Sequence, residues 1–322
     1  MKNILITGGA GYVGYSVTKE MALKYPQSKI IIYDSFSKAR IENFAPLLFK
    51  YKNIVLIPWE KADIRDSDNF EAVLSEYKPE TVIHLAAIVD AFSTNREGKD
   101  RECMIVNYEA TVKIAEISKK NGVKNFIFQS SVSIYSRGED LKEDSPKESI
   151  SVYGKSKLLA EIEILKLASD TFKVTCLRSA TLVGYNPCFR CETIINLLCA
   201  RSVFGIETSI FESALSNPKS YLTLEDEVKA ITLLLEKIDI ASGQSYNAVS
   251  FSVSLDKVLD EVFKHIKKEE VKYKIVPQKT ISQQVYTINC DKIKSIGLRP
   301  EGNLSTVVSQ IIKNLKKSCS CV

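Results

Sequence analysis

The sequence predicts an α/β protein in which a doubly wound parallel sheet is followed by a smaller C-terminal α/β lobe. The first half alternates short, almost wholly apolar runs with amphipathic stretches of helical length, a pattern typical of a parallel sheet covered by helices on both faces. We expect strands at 4–7, 30–33, 54–57, 81–85, 126–129 and 174–177, and helices at 11–24, 67–77, 101–121 and 152–168. Beyond Arg178 the alternation gives way to loops and to helices near 224–237, 255–266 and 304–317.

The composition excludes several classes of protein. A chain of 322 residues with 45% hydrophobic and 26% charged residues can bury a large core, so it is neither disordered nor fibrous. Charged residues or proline interrupt every apolar run well short of the roughly 18 residues that cross a bilayer, so we expect no membrane partner. The net charge of +5 is mostly scattered, and we expect no nucleic-acid partner.

The N-terminal residues and the cysteines bear on the cellular location. A strand begins at Ile4, which leaves no room for a secretory leader, and we expect a cytoplasmic protein. The eight cysteines are then expected to be reduced. Cys188 and Cys191 have a spacing seen in redox and zinc sites, but neither they nor Cys319 and Cys321 follow a zinc-ribbon pattern, and we assign no metal site.

The change of pattern at Arg178 divides the chain into residues 1–178 and 179–322. The boundary is approximate, and we expect some segments to be interleaved between the two units. The sequence contains no solenoid repeat, low-complexity segment or Ser/Gly linker, so the units are expected to share an interface. A cleft between them is the default ligand site.

Residues 8–14, with the sequence GGAGYVG, lie between the first strand and the first helix. Gly8 and Gly11 allow a tight turn and a close approach of the backbone to a pyrophosphate, and Gly14 allows the helix to pack closely on the sheet. The phosphates then lie at the helix N-terminus, where the N–H groups and the helix dipole favour negative charge. In this context the motif predicts a dinucleotide-binding domain of the Rossmann type.

An acidic residue ends the second strand, 20 residues after Gly14. Asp34 is placed to accept hydrogen bonds from the hydroxyl groups of the adenosine ribose, which favours NAD. Lys38 and Arg40 follow closely, so NADP is left open as an alternative. Asp63, after the third strand, could hold the adenine amino group, or this segment could simply begin the next helix with Asp66 as its cap.

Tyr153 and Lys157 are four residues apart on one helix face, and Ser131 ends the fifth strand. A phenol with a pKa of about 10 becomes a base at neutral pH only if nearby positive charge stabilises the phenolate. The Lys157 ammonium and an oxidised nicotinamide ring would both supply that charge. We therefore predict Tyr153 as the acid/base, Lys157 as its partner and Ser131 as the group that orients a substrate hydroxyl or carbonyl.

These residues give the chain a resemblance to the extended short-chain dehydrogenases/reductases of the nucleotide-sugar epimerase/dehydratase family. The resemblance spans nearly the whole chain and depends on residues 7–14, 63–64, 84–87, Asn107, the set Ser131, Tyr153 and Lys157, and residues 177–178, 221–226 and 296–300. It implies an NAD-binding domain at 1–178, a lobe at 179–322 that binds a nucleoside-diphosphate sugar, and a homodimer formed by the helices that carry Asn107 and Tyr153. It also implies that the NAD site comprises Gly8, Gly11, Tyr12, Val13, Gly14, Asp34, Asp63, Ile64, Leu85, Ala86, Ala87, Asn107, Tyr153 and Lys157.

Val132 and Ser133 help to separate the reactions of this family. The 4,6-dehydratases of the family carry Asp-Glu here, and the 3,5-epimerase-like members carry a cysteine in place of Ser133. The resemblance therefore implies hydride chemistry at one carbon, and we expect an NAD-dependent 4-epimerase that acts through a transient 4-keto intermediate. A 4-dehydrogenase or reductase of the same fold remains an alternative, as does a non-catalytic dinucleotide- or RNA-binding scaffold.

The resemblance also suggests residues that contact the sugar nucleotide. Thr181 begins the segment that replaces an Asn-Pro-x-Gly motif of related 4-epimerases, so the sugar contacts must differ. Lys219 and Lys279 lie where related enzymes usually offer arginine to the diphosphate, and a lysine there acts as a point charge without bidentate geometry. Arg190 lies in a segment similar to the substrate loop of epimerase-like relatives and is expected to meet phosphate or sugar.

Overall fold

The fold is described from a computed structural model that covers residues 2–89, 97–135, 138–277 and 286–319. Its strands are β1 Ile4–Thr7, β2 Ile30–Tyr33, β3 Ile54–Leu56, β4 Thr81–His84, β5 Asn125–Ser131, β6 Gly138–Leu141, β7 Lys173–Ser179, β8 Thr181–Val183, β9 Thr208–Phe211, β10 Lys219–Thr223, β11 Gln244–Ala248, β12 Phe251–Val253, β13 Tyr273–Val276 and β14 Tyr286–Ile288. Its α-helices are α1 Tyr12–Lys24, α2 Ile41–Lys50, α3 Ser67–Tyr77, α4 Glu97–Met104, α5 Thr111–Lys120, α6 Val152–Lys166, α7 Ile194–Val203, α8 Glu212–Ser216, α9 Leu224–Glu236, α10 Ile238–Ala241, α11 Leu255–Phe263, α12 Asp291–Ser295 and α13 Leu304–Cys319.

Seven parallel strands form the main sheet in the order β3-β2-β1-β4-β5-β7-β11. The order reverses between β1 and β4, so a crevice opens outside the carboxyl ends of these two strands. The glycine-rich turn follows β1, and Ser131 ends β5 on the far side of β4. The predicted α/β class and parallel sheet are confirmed.

The strands β1 and β2 are almost wholly apolar, and helices cover both faces of the sheet. Along β1, Ile4 and Ile6 belong to one buried cluster together with residues of α1 and α9, whereas Leu5 faces the other cluster with residues of α3, α5 and α6. All three side chains are fully buried. Burial on both faces explains why the polar–apolar alternation of a half-exposed strand is missing.

The second half of the chain contributes both a small lobe and part of the main sheet. In the lobe, β10 pairs with β8 and β12, β9 pairs with β13, and α7, α11 and α13 enclose a separate apolar core. β11 is the seventh strand of the main sheet, and α9 packs against α1 on one of its faces. The two halves of the chain are therefore interleaved at this side of the sheet.

Several elements differ from the expectation, and three of them bear on the main sheet and its helices. The helix predicted over 101–121 is broken, because residues Ile105–Ala110 form a π-helical turn between α4 and α5. α2 contains Pro46 and was not anticipated. β11 lies in the half of the chain where the regular alternation had ended, so its membership of the main sheet could not be inferred from the pattern. Within the described ranges, no helix is long and apolar enough to cross a membrane.

Candidate active site

The glycine-rich turn brings two loops of the sheet into close contact. Gly8 has a φ of 67°, and a Cβ there would lie 2.7 Å from the main-chain nitrogen of Ala86, in the segment that follows β4. A Cβ on Gly14 would lie 2.0 Å from the carbonyl oxygen of Gly8. A side chain at position 8 would push the turn away from the end of β4, and a side chain at position 14 would push α1 away from the end of β1. Either change would open the crevice.

Gly11 is the N-cap of α1, and its environment suits a bound phosphate. A Cβ at this position would meet only the Gly8 carbonyl oxygen at 3.3 Å, so the protein itself leaves space there. No side chain of the described residues caps this helix end. The first main-chain N–H groups of α1, from Tyr12 to Gly14, lack acceptors within the helix, and they are suited to an anionic group such as a diphosphate.

Asp34 lies just beyond the end of β2, beside the same turn. One carboxylate oxygen accepts a hydrogen bond from the Ala10 N–H at 2.9 Å, and the other accepts one from the Phe36 N–H at 2.8 Å. Burial raises the pKa of Asp34, and the hydrogen bonds from these N–H groups act in the opposite direction. The carboxylate is fixed at the edge of the crevice, with acceptor capacity left for ribose hydroxyls.

Asp63 is engaged within its own segment. Its carboxylate forms an ion pair with Arg65 at 2.5 Å, and hydrogen bonding to that guanidinium lowers the pKa of Asp63. Ile64 is buried in the same apolar cluster as Leu5, and the Tyr33 hydroxyl donates to the Asp63 carbonyl oxygen at 3.0 Å. Asp66 is the N-cap of α3. Any contact of Asp63 with adenine therefore shares this carboxylate with Arg65.

The segment after β4 is held in place by Asn107. Its side-chain oxygen accepts from the Ile88 N–H and its side-chain nitrogen donates to the Ile88 carbonyl oxygen, both at 2.8 Å. Asn107 is fully buried in the π-helical turn, a feature often found at functional sites. The contact fixes the C-terminal end of the segment Leu85–Ile88, whose Ala86 lies against Gly8 of the glycine-rich turn.

His84 is part of the scaffold of this segment. Its ring lies between the Thr7 and Thr111 hydroxyls, at 2.8 and 2.9 Å, and is completely buried. Burial lowers the pKa of His84 to about 3, and the charge on Lys157 acts in the same direction. The imidazole is neutral at physiological pH and lies between Thr7 of β1 and Thr111 of α5.

Lys157 reaches the end of β5 from α6. Its Nζ donates to the carbonyl oxygen of Gln129 at 2.8 Å and lies 4.7 Å from the centre of the Phe128 ring. The side chain is almost completely buried, which lowers the pKa of Lys157 to about 7, while Cys103 and Cys176 partly offset this effect. The amine is therefore close to losing its charge unless an anion or a phenolate lies beside it.

Ser131 and the start of α6 lie against each other. Ser131 Oγ accepts from the Ser133 N–H at 3.1 Å, and a Cβ on Gly154 would lie 2.1 Å from the Ser133 carbonyl oxygen. α6 can approach β5 this closely only because position 154 is glycine. Tyr153 is the second residue of α6, half-buried, with Lys157 one turn later on the same face.

The small lobe is tied to the glycine-rich turn through Tyr12. The Tyr12 hydroxyl donates to the Gly184 carbonyl oxygen at 2.8 Å and accepts from the Asn196 side chain at 3.0 Å. Asn186 donates to the Tyr12 carbonyl oxygen at 2.7 Å and to Ser16 at 3.0 Å. Burial holds the pKa of Tyr12 far above its ordinary value, so its hydroxyl remains a donor.

The residues expected to contact the sugar nucleotide are spread along the small lobe. Thr181 opens β8, beside Tyr221 of β10. Arg190 is paired with Glu192 at 3.0 Å and donates to the Val89 carbonyl oxygen at 3.3 Å, so it bridges the crevice. Lys219 is exposed at the start of β10. Lys279 lies outside the described residues.

Several residues near the site were not identified from the sequence. Asn196 links the lobes through the Tyr12 hydroxyl, and no local motif marks it. Asn186 begins the segment that resembles a substrate loop, but its contact with the Tyr12 carbonyl oxygen was not anticipated. Glu227 is different, because it lies on the core-facing side of α9 in register with the buried Leu224, Ile231 and Leu234. A carboxylate in such an apolar stripe is a signal that could have been noticed.

The chain is similar in sequence to known proteins. Its sequence matches the NAD dependent epimerase/dehydratase family over residues 4–248. It is 30% identical to UDP-glucose 4-epimerase 2 of Arabidopsis thaliana over 197 residues, which cover 58% of this chain and about half, 53%, of that protein. It is 26% identical to a dTDP-D-glucose 4,6-dehydratase of Mus musculus over 320 residues, 93% of this chain and 84% of the relative.

Solved structures show the same architecture. UDP-glucose 4-epimerase with UDP-glucose from Thermotoga maritima superimposes with a TM-score of 0.83 and 25% identity, covering 99% of this chain and 100% of the other. For dTDP-glucose 4,6-dehydratase from Bacillus anthracis in complex with NAD, the TM-score is 0.83 at 21% identity, covering 98% and 97%. The resemblance inferred from the motifs is confirmed: the chain belongs to the NAD dependent epimerase/dehydratase family.

Proposed function

We propose that this protein is an NAD-dependent nucleotide-sugar epimerase that inverts C4 of the sugar through a transient 4-keto intermediate. The observation that carries the proposal is the position of Lys157. Its buried amine is fixed on the Gln129 carbonyl oxygen, one helical turn from Tyr153 and beside the strand end that presents Ser131. In this proposal the set faces the crevice formed by the glycine-rich turn and the segment after β4.

NAD supplies a hydride acceptor and donor when it is bound in this crevice. The turn at Gly8 and Gly11 and the N-terminus of α1 would hold its diphosphate, and Asp34 would hold the adenosine ribose. Asn107 would keep the segment Leu85–Ala87 in place along the cofactor. We propose that Asp63 and Ile64 border the adenine and that Val13 lines the inner wall of the NAD site.

Tyr153 and Ser131 would handle the proton of the sugar 4-hydroxyl. Tyr153 takes this proton as the 4-keto sugar forms and returns it when the opposite face of the sugar is reduced. The positive charge of Lys157 would favour the phenolate form of Tyr153, and the phenolate would in turn favour the charged amine. Ser131 would orient the hydroxyl and then the carbonyl group.

Residues of the small lobe would hold the nucleotide and the sugar. We propose Arg190 and Lys219 as partners of the diphosphate, together with Lys279, and Thr181 as a contact to the sugar. Arg190 is best supported, because its guanidinium already bridges the lobe and the Val89 carbonyl oxygen at the crevice. A sugar nucleotide there would lie between the two halves of the protein.

The residues after Ser131 weigh against a dehydratase. Elimination of water needs an additional acid and base beside the sugar. Val132 is buried and apolar, and Ser133 carries a hydroxyl that does not ionise at physiological pH. The 4-dehydrogenase alternative uses the same residues as the epimerase and is separated from it only by the fate of the hydride.

The decisive experiment uses UDP-, GDP-, CDP- and dTDP-sugars deuterated at C4. With the freshly purified protein, an epimerase gives the C4 epimer with the deuterium retained, and no NADH accumulates, because the same hydride returns to the sugar. Accumulation of NADH with a keto product would indicate the dehydrogenase. NMR spectroscopy of the product and absorbance of the cofactor distinguish these outcomes.

A matched variant tests whether the protein is a catalyst at all. Tyr153→Phe removes only the acid/base hydroxyl and should lower turnover by about 10²–10⁴-fold while NAD remains bound. Turnover unchanged in this variant would refute the proposed role of Tyr153. If no sugar nucleotide reacts with the unmodified protein and a biological role survives in Tyr153→Phe, the scaffold alternative is favoured.

We also propose a homodimer and a cytoplasmic location. On α6, Leu159 and Ile162 are exposed apolar residues on one face, flanked by the exposed Lys155 and Lys166. A second copy that packs against this face would bury Leu159 and Ile162. The interface would then be formed by α6, which carries Tyr153, and by the neighbouring helical segment that carries Asn107. A reducing compartment suits the free thiols of Cys103, Cys176, Cys188, Cys191, Cys199 and Cys290.

A further inference from the structure

A buried carboxyl group lies beneath the end of the strand that carries Ser131. Glu227, on α9, is fully buried and accepts hydrogen bonds from Gln129 Nε2 at 2.7 Å and from Ser179 Oγ at 2.8 and 3.0 Å. Gln129 precedes Ser131 by two residues, so both point to the same face of β5. Ser179 is the register partner of Ser131 on β7. The two donors to Glu227 therefore flank Ser131.

Gln129 also connects this carboxyl group to Lys157. Its main-chain oxygen accepts from Lys157 Nζ at 2.8 Å, while its side-chain nitrogen donates to Glu227. The Lys157 amine and the Glu227 carboxylate are therefore connected by two hydrogen bonds that both involve Gln129. A displacement of Gln129 would move the carbonyl oxygen that positions the Lys157 amine.

Glu227 has no cation of its own among the described residues. On the elements that pack around it, Arg178 pairs with Glu161, Lys24 with Glu236, and Lys229 with Glu301 and Asp226, while the Tyr12 hydroxyl donates to Gly184. Lys19 on α1 and Lys219 at the exposed start of β10 are not among the groups that shift the pKa of Glu227. Burial raises the pKa of Glu227 to about 7, and the hydrogen bonds from Ser179 and Gln129 act in the opposite direction. The group is therefore ionised above neutral pH and protonated below it.

We propose that Glu227 is a positioning residue of the active site and that its negative charge makes the site favour the oxidised cofactor over the reduced one. The nicotinamide ring is cationic in NAD⁺ and neutral in NADH, so a nearby uncompensated carboxylate stabilises the oxidised form selectively. The inference rests on the proposed function in placing the reacting carbon beside Ser131 and Tyr153. Such a bias suits an epimerase, which must begin every cycle with NAD⁺.

The test measures the dissociation constants of NAD⁺ and NADH for the full chain, stripped of cofactor, by calorimetry at about pH 6 and about pH 8.5. Glu227→Gln keeps an oxygen for Gln129 and offers a nitrogen to Ser179, but removes the charge. At the higher pH the ratio of the dissociation constant of NADH to that of NAD⁺ should be about ten-fold lower in this variant than in the wild type, because the preference for NAD⁺ is lost. At the lower pH the two proteins should agree, because Glu227 is protonated there.

The difference between the two proteins isolates the carboxyl group, because Lys157 titrates in both. Thr232→Val, which alters a buried hydroxyl one to two turns further along α9, is the matched control and should leave the ratio unchanged. Ser179→Ala is an independent second variant. It removes a hydrogen bond that favours the carboxylate, so the pH at which the ratio changes should move upward.

The inference is overturned if Glu227→Gln folds normally and its ratio of NADH to NAD⁺ dissociation constants at the higher pH stays within two-fold of the wild-type value. An unshifted profile in Ser179→Ala does so as well, even if Glu227→Gln fails to fold. Failure of the proposed function looks different: the ratio would respond as expected, while no sugar nucleotide is epimerised. The cofactor measurement and the product analysis therefore separate the two.

Discussion

The hydroxyl of Tyr12 donates a hydrogen bond of 2.8 Å to the carbonyl oxygen of Gly184, which lies 172 residues further along the chain. Tyr12 begins α1, at the glycine-rich turn, and Gly184 follows β8 of the small lobe. Asn196 donates to the same hydroxyl and accepts from the Gly184 N–H at 3.2 Å. The glycine-rich turn and the small lobe are thus joined by one buried group of hydrogen bonds.

Tyr12→Phe should loosen this junction. The substitution leaves the Gly184 carbonyl oxygen and the Asn196 amide without their partner, which should lower the free energy of unfolding by about 1–3 kcal/mol. Because the lobe that would hold the sugar nucleotide is then less well fixed, we expect its KM to rise while kcat changes little. Urea denaturation and steady-state kinetics measure the two effects.

A double-mutant cycle with Asn196→Ala checks that the effect comes from this contact. If the two residues act through one junction, the double variant should be less destabilised than the sum of the single variants. Strict additivity would show that Tyr12 and Asn196 act independently, contrary to the structure.

Lys157→Met should separate stability from activity. The folded pKa of Lys157 is about 7, below the unfolded value of 10.5, so the unfolded chain binds the extra proton between these values. Wild-type stability should therefore rise by about 3 kcal/mol between about pH 7 and 9.5, and the variant should lack this component. Turnover should fall by about 10²–10⁴-fold.

The comparison is made as a difference between the two proteins at each pH, from urea denaturation, since other groups titrate in both. If the free energy of unfolding changes with pH in the same way in the wild type and in Lys157→Met, the amine of Lys157 does not have the lowered pKa that its burial implies. Unchanged turnover in the variant would contradict the proposed role of the amine.

The main elements could be predicted because they depend on local patterns. β1 and β2 have the predicted bounds, and α3 begins and ends where its sequence predicts, with Asp66 as its cap. The glycine-rich turn was recognisable because φ at Gly8 and the close approach at Gly14 each exclude a side chain. Such constraints leave their mark within a few residues of sequence.

The remaining features depend on contacts distant in sequence. The π-helical turn at 105–110 places Asn107 against Ile88, but neither residue alone predicts a broken helix. β11 joins the sheet beside β7 after a long excursion through the small lobe. Gln129 and Glu227 are 98 residues apart, and only the packing of α9 on the sheet brings them together.

Glu161→Gln should destabilise the protein strongly. Glu161 on α6 and Arg178 on β7 form a buried ion pair at 2.5 Å, and the Ser130 and Ser245 hydroxyls complete the environment of the carboxylate. The variant leaves the guanidinium without its counterion, which typically costs about 3–5 kcal/mol. Thermal unfolding and soluble yield measure this loss.

The apolar replacement of both partners is the control. Glu161→Met combined with Arg178→Met removes the charges together and should be much less damaging than Glu161→Gln. If the double replacement is the worse of the two, the pair contributes through its hydrogen bonds to Ser130, Ser245 and Tyr135 rather than through charge compensation.

His84 should make the fold sensitive to acid. Its folded pKa of about 3 is far below the unfolded value of 6.5, so the unfolded chain takes up a proton that the folded chain refuses. Stability is therefore lost as the pH falls below 6.5, by about 2 kcal/mol at pH 5 from this group alone. In His84→Gln this component should vanish. Urea denaturation of both proteins at about pH 7.5 and pH 5 measures it, and equal losses in the two would contradict the neutral, buried imidazole.

Leu159→Glu should separate the proposed dimer into monomers. Leu159 and Ile162 are 39% and 43% exposed on the outer face of α6, and a carboxylate placed there would have to be desolvated in an interface between two copies. Sedimentation velocity should show a dimer for the wild type and a monomer for the variant. Leu23→Glu is the matched control, because Leu23 is an exposed leucine on α1, away from this face, and the variant should remain dimeric. A wild-type protein that sediments as a monomer at micromolar concentration would refute the dimer, whereas a variant that stays dimeric would place the interface on another surface.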